Sequence, residues 1–456
     1  MQKNKVILIG AGLLGLRIAD LLSQKGYQVE LVEASHATGG MVGTFRRSFE
    51  GKDFYFDYGP HLLFEEFKDD YRELIGENLQ YITGNFSMIV ENKPLAYPLK
   101  IKEMFKNLPF RMVVPVGVEV IYNKFLKRNS NIHSLEEWMT TRFSKILFQR
   151  FYAPYIEKCN GLPPSEVAVD WATERTHVMG NSLLEIFWKR FKTALSKNSE
   201  TPNLPSSDRI TAYYPKKGAG EITDALTQRI LSRGGIIHLN SSLNKVTLED
   251  RSVDWISIEK ANQEIKLKAD HYISTIPLPT LVKKISPSVS LSHLEADHYL
   301  KYRHLILLYL VINQPHVLDC IEIFFADNDV IFKRIYEPKA LSDYMAPPDK
   351  TSLCLEICCD ETDTFAEEEL YQKAIHNLSQ AGIVTPDKVS HYFTVRLPNA
   401  YPIYRQGFKE TVDLLVGDIK GISNLTTIGR QGSFKYHAMT NETMEMSIQI
   451  ANLFAR

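Results

Sequence analysis

The run VILIGAGLLGLRIADLL, Val6 to Leu22, is apolar almost throughout, and the three glycines inside it fix what it can become. Val6, Ile7, Leu8 and Ile9 have the composition of a short strand buried on both faces. Gly10, Gly12 and Gly15 follow in the spacing GxGxxG. Behind them Leu14, Ile18, Leu21 and Leu22 fall on one face of a helix that Lys25 and Gly26 stop. QVELVEA then makes a second strand, giving the order strand, turn, helix, strand. In such a unit the first glycine permits the tight turn, the second lets the backbone approach a pyrophosphate, and the third lets helix and strand pack closely. The phosphates sit at the positive end of the helix. Glu33 ends the second strand about 20 residues past the glycines, where a carboxylate accepts hydrogen bonds from ribose hydroxyls. A signal peptide has no use for glycines so placed, and small residues at a cleavage site would follow it, not SQKGYQVELVEA.

A chain of 456 residues, 44% of them apolar, has material for two or three domains with real cores. Lys and Arg number 53 against 54 Asp and Glu, so no field gathers nucleic acid by charge alone, and a nucleic-acid partner is not expected. Five cysteines, Cys159, Cys320, Cys354, Cys358 and Cys359, are too few and too odd for a disulfide framework and fit a reducing compartment, hence a cytoplasmic location. LCLEICC lacks a second ligand pair at zinc spacing and reads as a buried strand, so no metal site is expected. LILLYLVI, Leu305 to Ile312, is far short of the roughly 20 residues that cross a bilayer. SKNSETPNLPSSD, Ser196 to Asp208, reads as a loop between domains.

After Glu33 come EASHATGGMVGTF, with Gly39 and Gly40, and FDYGPHLLF. These stretches resemble the FAD-binding fold shared by amine oxidases, protoporphyrinogen oxidases, phytoene desaturases and UDP-galactopyranose mutases. Further pieces follow in order. FYAPYIEKCNGLPPSEVAVDWATER is similar to a segment of the oxidases and mutases, with Cys159 and Asn160 where a Trp is common. YYPKKGAGEITDALTQRILSRGGIIHLNSSLNKV resembles the return to the FAD domain, and FKRIYEPK echoes the mutases. TIGRQGSFKYHAMTNETMEMSIQIANLF resembles the closing motif, a GR turn before a helix whose start points at the flavin. In that helix Met444, Ile448 and Ala451 share a face, and Asn441 is the expected N-cap.

The resemblance implies a mixed α/β fold: a Rossmann-type FAD-binding domain of the glutathione-reductase-like kind, discontinuous over 1–65, 205–275 and 395–456. A substrate-binding domain of 66–204 and 276–394 roofs it. The cofactor implied is FAD, held by Gly10, Ala11, Gly12, Leu13, Leu14, Gly15, Glu33, Ala34, Gly39, Gly40, Met41, Gly59, Pro60, His61, Val246, Gly429, Arg430, Thr443 and Met444. His61, Arg303, Arg334, Tyr336 and Tyr401 are the expected catalytic residues, the arginine forks suiting diphosphate or carboxylate oxygens. The implied activity is dehydrogenation of a small molecule by hydride transfer to flavin N5, with a nucleotide- or lipid-linked sugar of cell-envelope glycan synthesis as one substrate class. The alternatives are a mutase-like isomerase acting on a nucleotide sugar and a flavin-binding protein without catalysis. Phe64 and Glu65, where mutases carry His and Thr, and the absence of an RxPxR run behind Arg175 argue against ring contraction.

Overall fold

The computed structural model describes residues 4–97, 110–125, 132–142, 144–172, 209–286, 296, 298–437 and 439–454. Lys5–Ile9 is the central strand of a five-stranded, all-parallel sheet in the order Leu425–Thr427, His271–Ser274, Lys5–Ile9, Gln28–Val32, Ile236–His238. Val6 to Ile9 are buried, as a strand covered on both faces requires. The helix Leu13–Gln24 packs on this sheet, and the helices Gly220–Ser232 and Thr440–Leu453 pack on it in turn. That double cover corrects the single apolar face expected. Leu16, Ile18, Ala19 and Leu22 are buried, Leu14 and Leu21 only half so, and even Arg17 and Asp20 are enclosed. Asp20 is held by Arg17 at 2.9 Å and by Arg233 at 2.5 Å, so the buried charge is paired.

A four-stranded sheet, Gln263–Leu267, Ser252–Lys260, Ser241–Glu249 and Ile285–Ser286, lies beside the parallel one. The third layer is a seven-stranded sheet in the order Val389–Pro402, Tyr302–Ile312, Thr351–Cys359, Arg334–Tyr336, Glu322–Phe325, Phe86–Val90, Lys93–Tyr97. All eleven residues of Tyr302–Ile312 are buried, and they alternate as a strand must. Ile306, Leu308, Leu310 and Ile312 join one apolar cluster with the helix Glu367–Gln380; Leu305, Leu307, Tyr309 and Val311 join another with Phe54 and Phe56. LCLEICC falls within the buried strand Thr351–Cys359. No helix among the described residues is long and apolar enough to cross a membrane.

Two elements lie at expected domain divisions. Val389–Pro402 is a single strand running through the 394/395 division, and Ile285–Ser286 pairs with Val246 and Thr247 rather than with the large sheet. The last helix is Thr440–Leu453, so Met439 and not Asn441 stands at its N-cap. The loop from Ser196 to Asp208 lies outside the described residues, as does Arg175.

Candidate active site

The carboxyl ends of Lys5–Ile9 and Gln28–Val32 open on a cleft of about 540 Å³, where an open α/β sheet binds its ligand. Gly10 makes the turn with φ +107°, its N–H donating to the Val32 carbonyl at 2.8 Å. A Cβ on Gly15 would collide with the Gly10 carbonyl oxygen, which is why helix and strand can lie so close. Gly12 is different. No protein atom lies within 4 Å of where its Cβ would be, so the protein's own packing does not require a glycine there. The helix behind it starts without a side-chain cap, leaving its positive end to a ligand.

Glu33 is aimed before any ligand arrives. Its Oε2 accepts from the Ala11 N–H at 2.8 Å and its Oε1 from the N–H and the hydroxyl of Ser35 at 2.9 and 2.6 Å, and a carboxylate with about four acceptor positions keeps one for a ribose. The glycine pair folds back onto this turn: the Gly39 N–H donates to the Ala11 carbonyl at 2.9 Å. At the far end the cleft is bordered by Met439, Thr440 and Thr443 at the start of the last helix, and by Gly429 and Arg430. Glu442 reaches back to the Met439 N–H at 3.1 Å, and the Thr440 hydroxyl donates to the Leu62 carbonyl at 2.8 Å. An acceptor for ribose, an uncapped helix start behind a vacant Cβ position, and a second helix start form the donor and acceptor set that FAD needs. Glu33 would hold its ribose and Gly12 to Leu14 its pyrophosphate.

A second cavity of about 240 Å³ adjoins the first, and His61, Met439 and Thr440 border both. Its walls are aromatic, including Phe86, Tyr97, Tyr155 and Phe324, and its floor is charged. Arg334 pairs with Glu322 at 2.8 Å and with Glu356, while Lys333 lies 3.0 Å from Glu356 and donates to the Tyr401 hydroxyl at 2.8 Å. Burial pushes Glu356 up, but Arg334 and Lys333 together hold it down at about 2. Glu322, with Arg334 as its partner, is raised by burial. His61 has a shielded Nε2 with no hydrogen-bond partner, and burial, reinforced by Arg430 and Arg334, drops its pKa to about 4. The Arg430 guanidinium lies 4.9 Å from the Tyr401 ring centroid and 4.7 Å from that of Tyr436, and no carboxylate among the described residues pairs with it.

The structure gathers only part of the expected set. Gly10, Gly12, Leu13, Leu14, Glu33, Gly39, Gly40, Met41, His61, Gly429, Arg430 and Thr443 line the cleft, and His61, Arg334 and Tyr401 line the chamber. Ala11 and Gly15 act behind the cleft, one through its N–H and the other through packing. The other expected residues lie outside the cleft lining. Pro60 lines the chamber and not the cleft, and Gly59 lines neither. Ala34 stands back while Ser35 to Thr38 form the wall. Val246 is fully buried between its strand partners Ile256 and Ile285. Met444 points to the core, one step round the helix from Thr443. Tyr336 donates to the Asp57 carbonyl at 2.7 Å, beside Tyr309 at 2.6 Å, and anchors a turn. Arg303 pairs with Asp360 and lines neither cavity. Lys333, Glu322, Glu356 and Tyr436 were not expected. A lone carboxylate inside the apolar LCLEICC was the available signal, because a buried charge demands a partner.

With this geometry the chain is a dinucleotide-binding flavoprotein fold with a roofed second chamber. It belongs to the flavin containing amine oxidoreductase family, whose model matches residues 15–411. FAD is therefore the cofactor that the cleft serves. It is 21% identical over 319 residues to the inactive all-trans-retinol 13,14-reductase of Danio rerio, covering 65% of this chain and 51% of that protein. To the L-amino acid oxidase of Cerastes cerastes it is 34% identical over 123 residues, 23% of each. The matches thus span about half the length of these relatives, or less. Among solved structures, reduced UDP-galactopyranose mutase superposes with a TM-score of 0.80 at 18% identity, over 99% of this chain and 95% of that one. Cyclohexylamine oxidase from Brevibacterium oxydans IH-35A gives 0.66 at 14% identity, over the whole of both chains (100% and 100%). At such identities these structures speak for the fold.

Proposed function

We propose that the protein is a FAD-dependent oxidoreductase that removes a hydride from a small molecule held in the aromatic chamber. One observation carries this reading: His61, Met439 and Thr440 border cleft and chamber together, so a cofactor in one and a substrate in the other meet at that wall. When bound, FAD supplies the hydride acceptor and passes the electrons on to a further oxidant. The chain's part is positioning. His61 is neutral across the physiological range, so it adds no charge to the wall between cleft and chamber. The aromatic walls exclude water, and the Lys333–Tyr401 pair offers a polar contact at the floor.

Charge narrows the substrate. Lys333 and Arg334 on the chamber side and Arg430 on the cleft side set three cations against the two carboxylates of Glu322 and Glu356, a balance of +1 across the two cavities. Arg430 already covers the rings of Tyr401 and Tyr436. A protonated amine is repelled there, so the reading favours a neutral or anionic substrate with an apolar or sugar-like body. A nucleotide- or lipid-linked sugar satisfies both conditions, and disulfide-free cysteines support a cytoplasmic setting. The superposition on the reduced mutase favours a second reading, isomerisation of a nucleotide sugar. Against it, Arg334 is engaged by two carboxylates and Arg303 by one, which leaves fewer forks for a diphosphate. The open chamber speaks against a flavin carrier without catalysis.

Anaerobic mixing with a substrate panel tests the reading. Loss of the flavin's visible absorption with neutral or anionic hydroxylated compounds, but not with primary amines, is the expected result. Bleaching by amines alone contradicts it, and ring isomers of UDP-sugars formed only after dithionite reduction establish the second reading instead.

A further inference from the structure

Cys159 sits near the end of the helix Ala153–Asn160 and lines the chamber, whereas Cys358 lies near the end of the strand Thr351–Cys359. Their side chains are within hydrogen-bonding reach of each other across the seam between helix and sheet, and neither is in a disulfide. Cations surround the pair: Lys158 acts on both sulfurs, and Lys333 and Arg303 act on Cys358. Arg303 also lies against Gly161, the residue that ends the helix. The oxidoreductase reading leaves both thiols unused.

We propose that Cys159 and Cys358 form an oxidation-sensitive pair that hydrogen peroxide closes into a disulfide on the chamber wall. The Cys159 thiolate attacks one peroxide oxygen; an S–O bond forms, the O–O bond breaks, and the departing hydroxide takes a proton to become water. The Cys358 sulfur then attacks the Cys159 sulfur, the S–O bond breaks, and a second water leaves with the proton from Cys358. Two thiols are oxidised by two electrons, and one peroxide is reduced to two waters. Cys159 goes first because it lines the cavity through which peroxide arrives. The contact with Cys159 and burial push the Cys358 thiol well up against the pull of Lys333 and Arg303, so Cys358 keeps its proton until the second step, while Lys158 beside both sulfurs favours the departing hydroxide. Closure ties the helix that carries Tyr155 to the strand that carries Glu356, joining one chamber wall covalently to its floor.

The FAD-loaded protein is exposed to limiting hydrogen peroxide, then denatured for thiol counting and peptide mapping. Free thiols fall from five to three, dithiothreitol restores them, and the mapped crosslink joins Cys159 to Cys358. In Cys358→Ser, dimedone traps a sulfenic acid at Cys159, while Cys159→Ser keeps its four thiols through the same treatment. Survival of all five thiols in the unaltered protein overturns the proposal. So does a crosslink between another pair, such as Cys358 and Cys359, or loss of a thiol in Cys159→Ser. Because the peroxide is added, the outcome is independent of which substrate the chamber oxidises.

Discussion

Gly12 and Gly15 are three residues apart and do opposite work. A methyl group on Gly15 meets the Gly10 carbonyl, so Gly15→Ala overpacks the turn and costs about 1–3 kcal/mol of apoprotein stability, read from denaturant unfolding. A methyl group on Gly12 meets no protein atom, so Gly12→Ala changes apoprotein stability by less than about 1 kcal/mol. It weakens FAD binding by at least about tenfold, the equivalent of ~1.4 kcal/mol, in a fluorescence titration. Glu33→Gln loses charge-assisted hydrogen bonds worth about 1.5–3 kcal/mol, raising the FAD dissociation constant roughly 10- to 100-fold. These positions were legible in the sequence because their chemistry is local: a turn, a helix start and a strand end within one unit. Tyr336 and Arg303 show the converse. A phenol or guanidinium in a strand announces that it needs a partner without saying whether that partner is a ligand, a backbone carbonyl or Asp360.

Neighbouring strands make the chamber floor. Arg334 sits directly opposite Glu356 in the antiparallel register of Arg334–Tyr336 with Thr351–Cys359, and Glu322 arrives from the next strand over. Sequence separation hides such a pairing, since nothing in FKRIYEPK names LCLEICC as its neighbour until register is known. Removing the shared carboxylate by Glu356→Gln leaves Lys333 without a carboxylate and Arg334 with Glu322 alone in a buried site. The expected loss is about 3–5 kcal/mol, measured by denaturant unfolding. The contact of the strand Lys52–Asp57 with the start of the helix Gly220–Ser232 carries a pH dependence. Burial raises Asp57 to about 7, against hydrogen bonds from the Thr44 hydroxyl and the Ala219 N–H that pull it down. Its folded pKa lies above the unfolded one, so the stability it contributes is full below about pH 4 and is lost as pH rises towards 7. Thermal midpoints of the unaltered protein fall over that range, and those of Asp57→Asn fall less; parallel curves contradict the assignment.

At the scale of the whole molecule, the parallel sheet, the large mixed sheet and the last helix come from distant parts of the chain, and His61 borders both cavities between them. The ordered motifs carried the architecture, because glycine turns and buried strands are written in short runs. Most of the chamber's contents were not so written, because Phe86, Tyr97 and Phe324 converge with Tyr401 only after the sheets have formed. The account stands on one physical requirement, that the crevice beside Gly12 and Glu33 takes up an adenine dinucleotide. The direct measurement is the FAD released when the purified protein, incubated with excess FAD and desalted, is denatured. Stoichiometric FAD from the unaltered protein and a marked loss from Gly12→Val, with folding intact by circular dichroism, is the predicted result. A folded, unaltered protein that releases no FAD would contradict the account.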